Sequence, residues 1–190
     1  NATAGFADNF TSVATHSADG DSTSTAYTLT IKANGADSGL VDTATGQAVV
    51  LSVVSGVVYG KTATSGATVF TVSVAANGDV TLDQQRVVKQ SNTSSDNETT
   101  TLSAADLIVL TRTDTITDND SDVRSDDATI NIGQALTFAD SGPSITVTAT
   151  VAADTLAVDD DTLSTNATAG FADNFTSVAT HSADGDSTST

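Results

Sequence analysis

The sequence predicts an all-β fold, an antiparallel β-sandwich with at most one short helical turn. Apolar residues come in short bursts that often alternate with polar ones, which is typical of strands. Clusters of Gly, Asn, Asp and Ser separate these bursts at modest spacing. Helix-favouring acid is scarce, because Glu98 is the only glutamate among 24 acidic residues. A chain of 190 residues with 38% hydrophobic content can still bury a substantial core.

The first half of the chain contains two predicted hairpins. Asn77-Gly78 is the strongest hairpin signal, and Ser55-Gly56 joins two dense apolar runs in the same way. We expect a turn cluster over 33–39 and a further break over 60–66. The predicted strands are 27–31, 48–54, 57–59, 68–74 and 80–82.

The second half is more polar. Residues 91–100 are turn-like, and residues 103–106 are the only candidate for a helical turn. A strand begins at 107–111 and continues towards Ile116, followed by a very acidic stretch. The remaining predicted strands are 128–132, 135–138 and 144–151.

The first 25 residues recur, letter for letter, as the last 25, at an offset of 165 residues. A period of this length is the size of a self-sufficient domain, so we expect a tandem array of near-identical domains. Pro143, the only proline, lies at the natural seam. Residues 1–142 would then be most of one repeat without its opening strand, and 143–190 the start of the next. We expect 144–151 to fold back or swap between chains, with the two identical segments competing for one position.

The formal net charge of −18 limits the partners. Such an acidic surface repels nucleic acid and anionic membranes and attracts divalent cations. No apolar run approaches the ~20 residues of a membrane span, so we expect no membrane insertion. Cysteine is absent, which excludes disulfides and thiolate metal sites.

An acidic stretch forms the strongest candidate metal site. Asp118, Asp120 and Asp122 form a D-x-D-x-D loop whose alternate spacing lets three carboxylates converge. Oxygen ligands without His or Cys favour Ca²⁺ over Mg²⁺. The loop is not an EF-hand, since Val123 and Thr129 replace the required Gly and Glu. A solvated acidic loop is the alternative. The flanking candidate ligands are Asp114, Asp126 and Asp127.

Two further groups of aspartates are candidate ligands. Asp19 and Asp21 flank Gly20 and recur at 184 and 186, although an ordinary turn would explain them equally well. The other group surrounds the seam, where calcium could stiffen the junction between repeats. Its members are Asp140, Asp159, Asp160 and Asp161.

Nothing in the sequence predicts an enzyme. His16 and His181 are one histidine occurring twice, and we interpret it as exposed. Nucleophile, P-loop and dinucleotide motifs are absent. Aromatic residues, at 4%, are too few for the platforms that sugar subsites usually contain.

Several segments resemble the large repeats of giant RTX adhesins, which Gram-negative bacteria export by type I secretion. They are 37–51 (DSGLVDTATGQAVVL), 62–66 (TATSG) with Val69-Phe70, 78–86 (GDVTLDQQR), 116–122 (ITDNDSD) and 138–145 (FADSGPSI). The resemblance implies immunoglobulin-like extender domains on the bacterial cell surface, with Ca²⁺ in loops and near repeat junctions. Family members often have D-G-D where this chain has Asp120-Ser-Asp122.

These observations lead to one expected function and one alternative. The chain is expected to be an extracellular, calcium-stiffened extender whose partners are neighbouring identical repeats. The alternative is a calcium-dependent module that binds a glycan or surface ligand weakly and gains avidity from tandem copies.

Overall fold

The computed structural model confirms the all-β antiparallel prediction and describes residues 1–90, 98–149 and 153–182. Its strands are β1 (Ala2–Gly5), β2 (Asp21–Ile31), β3 (Asp37–Val41), β4 (Ala48–Val54), β5 (Val57–Thr62), β6 (Thr68–Val74), β7 (Asp79–Gln84), β8 (Thr99–Thr101), β9 (Ile108–Asp118), β10 (Val123–Asn131), β11 (Thr137–Ala139), β12 (Ser144–Ala149) and β13 (Phe175–Thr180). The chain forms two compact units, Asn1–Asp140 and Ser141–Thr190.

The larger sheet of the first unit is a meander, with β1 added at one edge. Its strand order is β1-β7-β6-β5-β4-β3. The predicted β4–β5 turn is confirmed, and both central residues have positive φ, 51° at Ser55 and 80° at Gly56. The Asn77-Gly78 hairpin is also confirmed between β6 and β7. Local turn chemistry therefore sets the order of this sheet.

The second sheet is long and narrow, in the order β10-β9-β2. β2 and β9 pair over eleven residues, and β2 packs against β4, β5 and β6 of the larger sheet. Leu29 and Leu110 lie opposite each other in this pairing and are buried between the two layers. Phe70 and Phe138 complete the core, with ring centroids 5.1 Å apart.

Several strand boundaries differ from the predictions because long-range contacts extend the strands. β5 runs to Thr62, inside the break predicted over 60–66, and β10 begins at Val123 rather than residue 128. β3 begins at Asp37, inside the predicted turn cluster 33–39, and buried Ser38 donates a 2.6 Å hydrogen bond to the Val49 carbonyl. β2 begins at Asp21 rather than residue 27, because β9 pairs with it throughout. Polar Thr and Ser segments therefore become strand when a neighbour supplies backbone partners.

The described residues contain more helical turns than the single one expected. The turn predicted near 103–106 occurs as a 3-10 turn at Ala105–Leu107, and the others share its length of three residues. Single 3-10 turns leave no helical periodicity in a sequence, so pattern reasoning misses them. The others are Ala7–Asn9, Gly133–Ala135, Asp160–Thr162 and Ala172–Asn174.

The second unit pairs β12 with β13 in a two-stranded sheet. The strand predicted over 144–151 is present to Ala149, and residues 150–152 lie outside the described residues, as do 91–97 of the predicted turn region. The expected fold-back or swap of this strand stays a prediction.

Candidate metal centre

The tip of the β9–β10 hairpin brings together three of the predicted ligands. A carboxylate oxygen from each of Asp118, Asp120 and Asp122 lies within 4.8 Å of the others. Ser121 has a φ of 76°, and the Asp122 amide donates a 2.9 Å hydrogen bond to Asp118 Oδ1. Ca²⁺ binds oxygens at 2.3–2.6 Å, so oxygens sharing one ion are about 5 Å apart or less. The three carboxylates therefore fit a calcium ion in both chemistry and spacing.

A second turn, distant in sequence, is bonded to this tip. The Asn119 amide donates a 3.1 Å hydrogen bond to the Gly20 carbonyl, and the Asn119 side chain donates to the Asp19 carbonyl. Gly20 has a φ of 98°, and a Cβ there would lie 2.8 Å from Asn119 Nδ2. The positive φ therefore favours glycine at this position, and a larger residue would also displace the Asn119 side chain. Sequence reasoning missed Asn119, because its partners lie 100 residues away.

Asp21, predicted as a ligand with Asp19, is bound to a histidine. His16 Nδ1 lies 2.8 Å from Asp21 Oδ1, and the Ser17 amide donates to Oδ2 at 3.0 Å. The hydrogen bond from His16 is the largest cause that lowers the Asp21 pKa, and burial opposes it. His16 is exposed, as expected, but it has this partner. Asp21 therefore stands next to the candidate centre, opposite Asp118, with its carboxylate already paired.

Asp114 and Asp126 lie further along the hairpin and face each other across β9 and β10. Asp114 is four residues before Asp118, which is about 13 Å along a strand. It accepts hydrogen bonds from Ser12, Arg112 and Thr25, with the last at 2.7 Å. These bonds, that of Ser12 first, lower the Asp114 pKa to about 2.

The predicted six-aspartate cluster is therefore not gathered at one point in the structure. Asp118, Asp120 and Asp122 converge at the tip, whereas Asp114 is held by its own donors. Asp126 and Asp127 are exposed on β10 beyond Val123, where the strand begins. Whether any of these residues binds calcium stays a prediction.

Comparison with known protein families identifies most of the first unit. A family model described as "Domain of unknown function (DUF5801)" matches residues 1–133. The chain belongs to the DUF5801 family. The DUF5801 match includes β1 to β10, and with them the hairpin tip and the Asp19–Gly20 turn. No curated protein and no solved structure matches the chain.

The predicted seam ligands lie beyond the DUF5801 match. Asp159, Asp160 and Asp161 converge around a 3-10 turn of the second unit, and the Asp161 amide donates to Asp159 Oδ1 at 3.0 Å. Asp140 ends the first unit, where its amide donates to the Glu98 carbonyl at 2.8 Å. A shared calcium at the seam stays a prediction. The second D-G-D copy, 184–186, lies outside the described residues.

The described residues include no helix that is both long and apolar enough to cross a lipid bilayer.

Proposed function

We propose that this chain is a calcium-stiffened extender module of a large bacterial surface adhesin, which projects a distal adhesive region. The observation that carries the proposal is the convergence of Asp118, Asp120 and Asp122 at a tip that is bonded to the Asp19–Gly20 turn. The role proposed is mechanical, and we expect no catalytic activity.

The electrostatics of the tip make it responsive to a cation. Two unit charges 4 Å apart repel by about 1 kcal/mol in water and by about 4 kcal/mol near a protein surface. Three carboxylates within 4.8 Å of one another therefore destabilise the hairpin tip when no ion is bound. A bound Ca²⁺ would replace this repulsion with attraction. It would also stabilise the β9–β10 tip, which the Asn119 amide joins to the turn before β2.

Calcium availability would then act as a switch for export. Extracellular calcium modules typically bind with dissociation constants of about 10⁻⁴–10⁻³ M. Inside a cell the sites would stay empty and the chain loose, whereas millimolar calcium outside would fill them. The net charge of −18 also disfavours aggregation of neighbouring repeats, because like-charged surfaces repel each other.

Thermal unfolding with calcium and with chelator tests the proposal. At 10 mM Ca²⁺, a site with this affinity adds about 1.4–2.7 kcal/mol of stability by mass action. For a protein of this size the melting temperature would rise by roughly 4–8 °C. The double variant Asp120→Asn, Asp122→Asn should lose most of this shift. Asp8→Asn, an exposed aspartate of a 3-10 turn, is the control and should keep it.

A wild-type shift below about 1 °C would overturn the calcium proposal. The extender role has a separate readout, because tandem chains should become stiffer in single-molecule force measurements when calcium is added. Calcium-dependent binding to a glycan array without any gain in stiffness would favour the binding-module alternative.

A further inference from the structure

The two identical segments begin with the same local structure. Residues 7–9 and 172–174 each form a 3-10 turn, and the next residue, Phe10 or Phe175, donates its amide to the first residue of the turn. Phe10 and Phe175 also share extended backbone angles, with φ of −118° and −124°. The sequence alone therefore encodes the turn and the direction in which the chain leaves it.

The segments differ immediately after this turn. In the second copy, Phe175–Thr180 is β13 and pairs with β12 along its full length. In the first copy the same six residues, 10–15, belong to no strand. Among the described residues, the amides of 11–15 donate no hydrogen bond to another backbone carbonyl. The same sequence is therefore a strand where β12 is adjacent and is unpaired where it is not.

Two side chains of 10–15 already contact the first unit. Phe10 is buried and packs edge-on against Tyr27, at 6.1 Å between ring centroids. Ser12 donates a hydrogen bond to Asp114. Val13, between Ser12 and Ala14, is 98% exposed. Phe10 and Ser12 thus hold the segment to the first unit, while residues 11–15 remain exposed to solvent.

A cleft of about 680 Å³ runs along this segment. Residues 10–16 line the cleft together with parts of three strands, which are 23–25 of β2, 112 and 114–116 of β9, and 124–128 of β10. Ile116 and Ala128 are among these strand residues, so the cleft offers apolar contacts beside its charged groups.

We propose that residues 10–15 accept a strand, and that its occupant is Ser144–Ala149 of a second copy of this chain, either joined in tandem or separate. The register observed in the second unit places Ile145 opposite Ala14 and Val147 opposite Ser12. Opposed residues share a face of a sheet, so both apolar side chains would lie on the inward face with Phe10.

The proposed donor strand, β12, is weakly held in its own unit. Among the described residues of its unit, β12 pairs with β13 alone, and an isolated pair of strands is marginally stable in water. Ile145 and Val147 are 70% and 62% exposed there, and Phe175 is 55% exposed whereas its counterpart Phe10 is 8% exposed. The first unit therefore offers the same strand sequence, already backed by a core. This inference does not depend on calcium.

Hydrogen exchange with an added peptide tests the acceptor. The probe is a synthetic peptide of residues 141–153, added to the full chain in the presence of chelator. We expect amides within 11–15 to exchange roughly tenfold more slowly or better. The same peptide with Ile145→Asp and Val147→Asp should have no effect. Unchanged exchange at 11–15, or protection confined to 175–180, would overturn the proposal.

A complementation experiment tests the second copy as occupant. Adjacent amides in a strand point to opposite edges, so one of the two residues Val13 and Ala14 would donate its amide hydrogen bond to an added strand. Replacing that residue with proline, as Val13→Pro or Ala14→Pro, removes this hydrogen bond. The resulting chain can supply the strand 144–149 but cannot accept one, and is called donor-only. The chain with Ile145→Asp and Val147→Asp is acceptor-only. In analytical ultracentrifugation each variant should remain monomeric, and the mixture should form a 1:1 dimer. Wild-type chain that stays monomeric at high concentration, with 11–15 already protected, would instead identify its own β12 as occupant and overturn the second-copy assignment.

Discussion

Replacing one buried carboxylate should remove a defined part of the pH dependence of folding. Asp42, at the end of β3, is fully buried and accepts hydrogen bonds from Arg86 Nε at 2.8 Å and Nη2 at 3.0 Å. It also accepts bonds from the amide and the hydroxyl of Thr45, at 2.9 and 2.5 Å. The bond from Arg86, followed by those from Thr45, lowers the Asp42 pKa from 3.8 to about 2.

The sign and size of the effect follow from this lowered pKa. The folded protein holds the ionised form more tightly than the unfolded chain, so the contribution is fully present above pH 4–5 and disappears as pH falls towards 2. A difference of nearly two pKa units corresponds to about 2 kcal/mol of unfolding free energy. We therefore expect Asp42→Asn to be about 2 kcal/mol less stable than wild type at pH 6.5, and less than about 1 kcal/mol less stable at pH 2.5.

Urea unfolding at the two pH values measures the difference in unfolding free energy between wild type and Asp42→Asn, which should be smaller at pH 2.5. Asp114 titrates in the same range, but it is present in both proteins and cancels in the comparison. Asp106→Asn, which removes an exposed ion pair with Lys32, is the matched control and should show little gap at either pH. An Asp42→Asn gap of equal size at both pH values would refute the reasoning, because the loss would then come from packing rather than from charge.

Two further predictions concern backbone positions in β5 and its turn. Gly60→Ala should destabilise the first unit by about 1–3 kcal/mol, because the new Cβ would lie 2.2 Å from Cε1 of buried Phe70. Urea unfolding should show that adding Phe70→Leu to Gly60→Ala costs less than the sum of the single changes; strict additivity would contradict the clash. Ser55→Asn should stabilise by roughly 0.5 kcal/mol, since Asn tolerates the positive φ of this hairpin turn, whereas Ser55→Ala should destabilise. Thermal melts that rank Ala above Asn would contradict this interpretation of the turn.

The sequence predicted best those strands whose signal is local. β4, β6 and the two hairpin turns occur where alternation and turn residues place them. β1 was missed because Ala2–Gly5 contains no large apolar residue, and it becomes a strand by pairing with the edge of β7. Sequence pattern reports which face a strand buries, and a strand with no buried face leaves no such pattern.

The candidate metal centre likewise has one part that the sequence predicts and one part that it does not. Asp118, Asp120 and Asp122 converge within one five-residue loop, so their spacing alone predicts that they meet. Asp114 and Asp21 lie close in sequence or in space to this loop, yet Ser12, Arg112 and His16 hold their carboxylates. The spacing of acidic residues does not show which donors will bind them: Arg112 and His16 lie within five residues of their partners, whereas Ser12 and Thr25 reach Asp114 from a distant part of the chain.

The sequence by itself determined the all-β class, the hairpin turns, the acidic tip and the exact recurrence of 25 residues, because each depends on neighbours within a few positions. Only the tertiary structure decided which carboxylates are paired and which copy of the recurring segment becomes a strand. The reason is physical: an extended segment completes its backbone hydrogen bonds only when another strand lies beside it, and that neighbour comes from a distant part of the chain. The segment at 10–15 and β13 have one sequence and two structures for this reason.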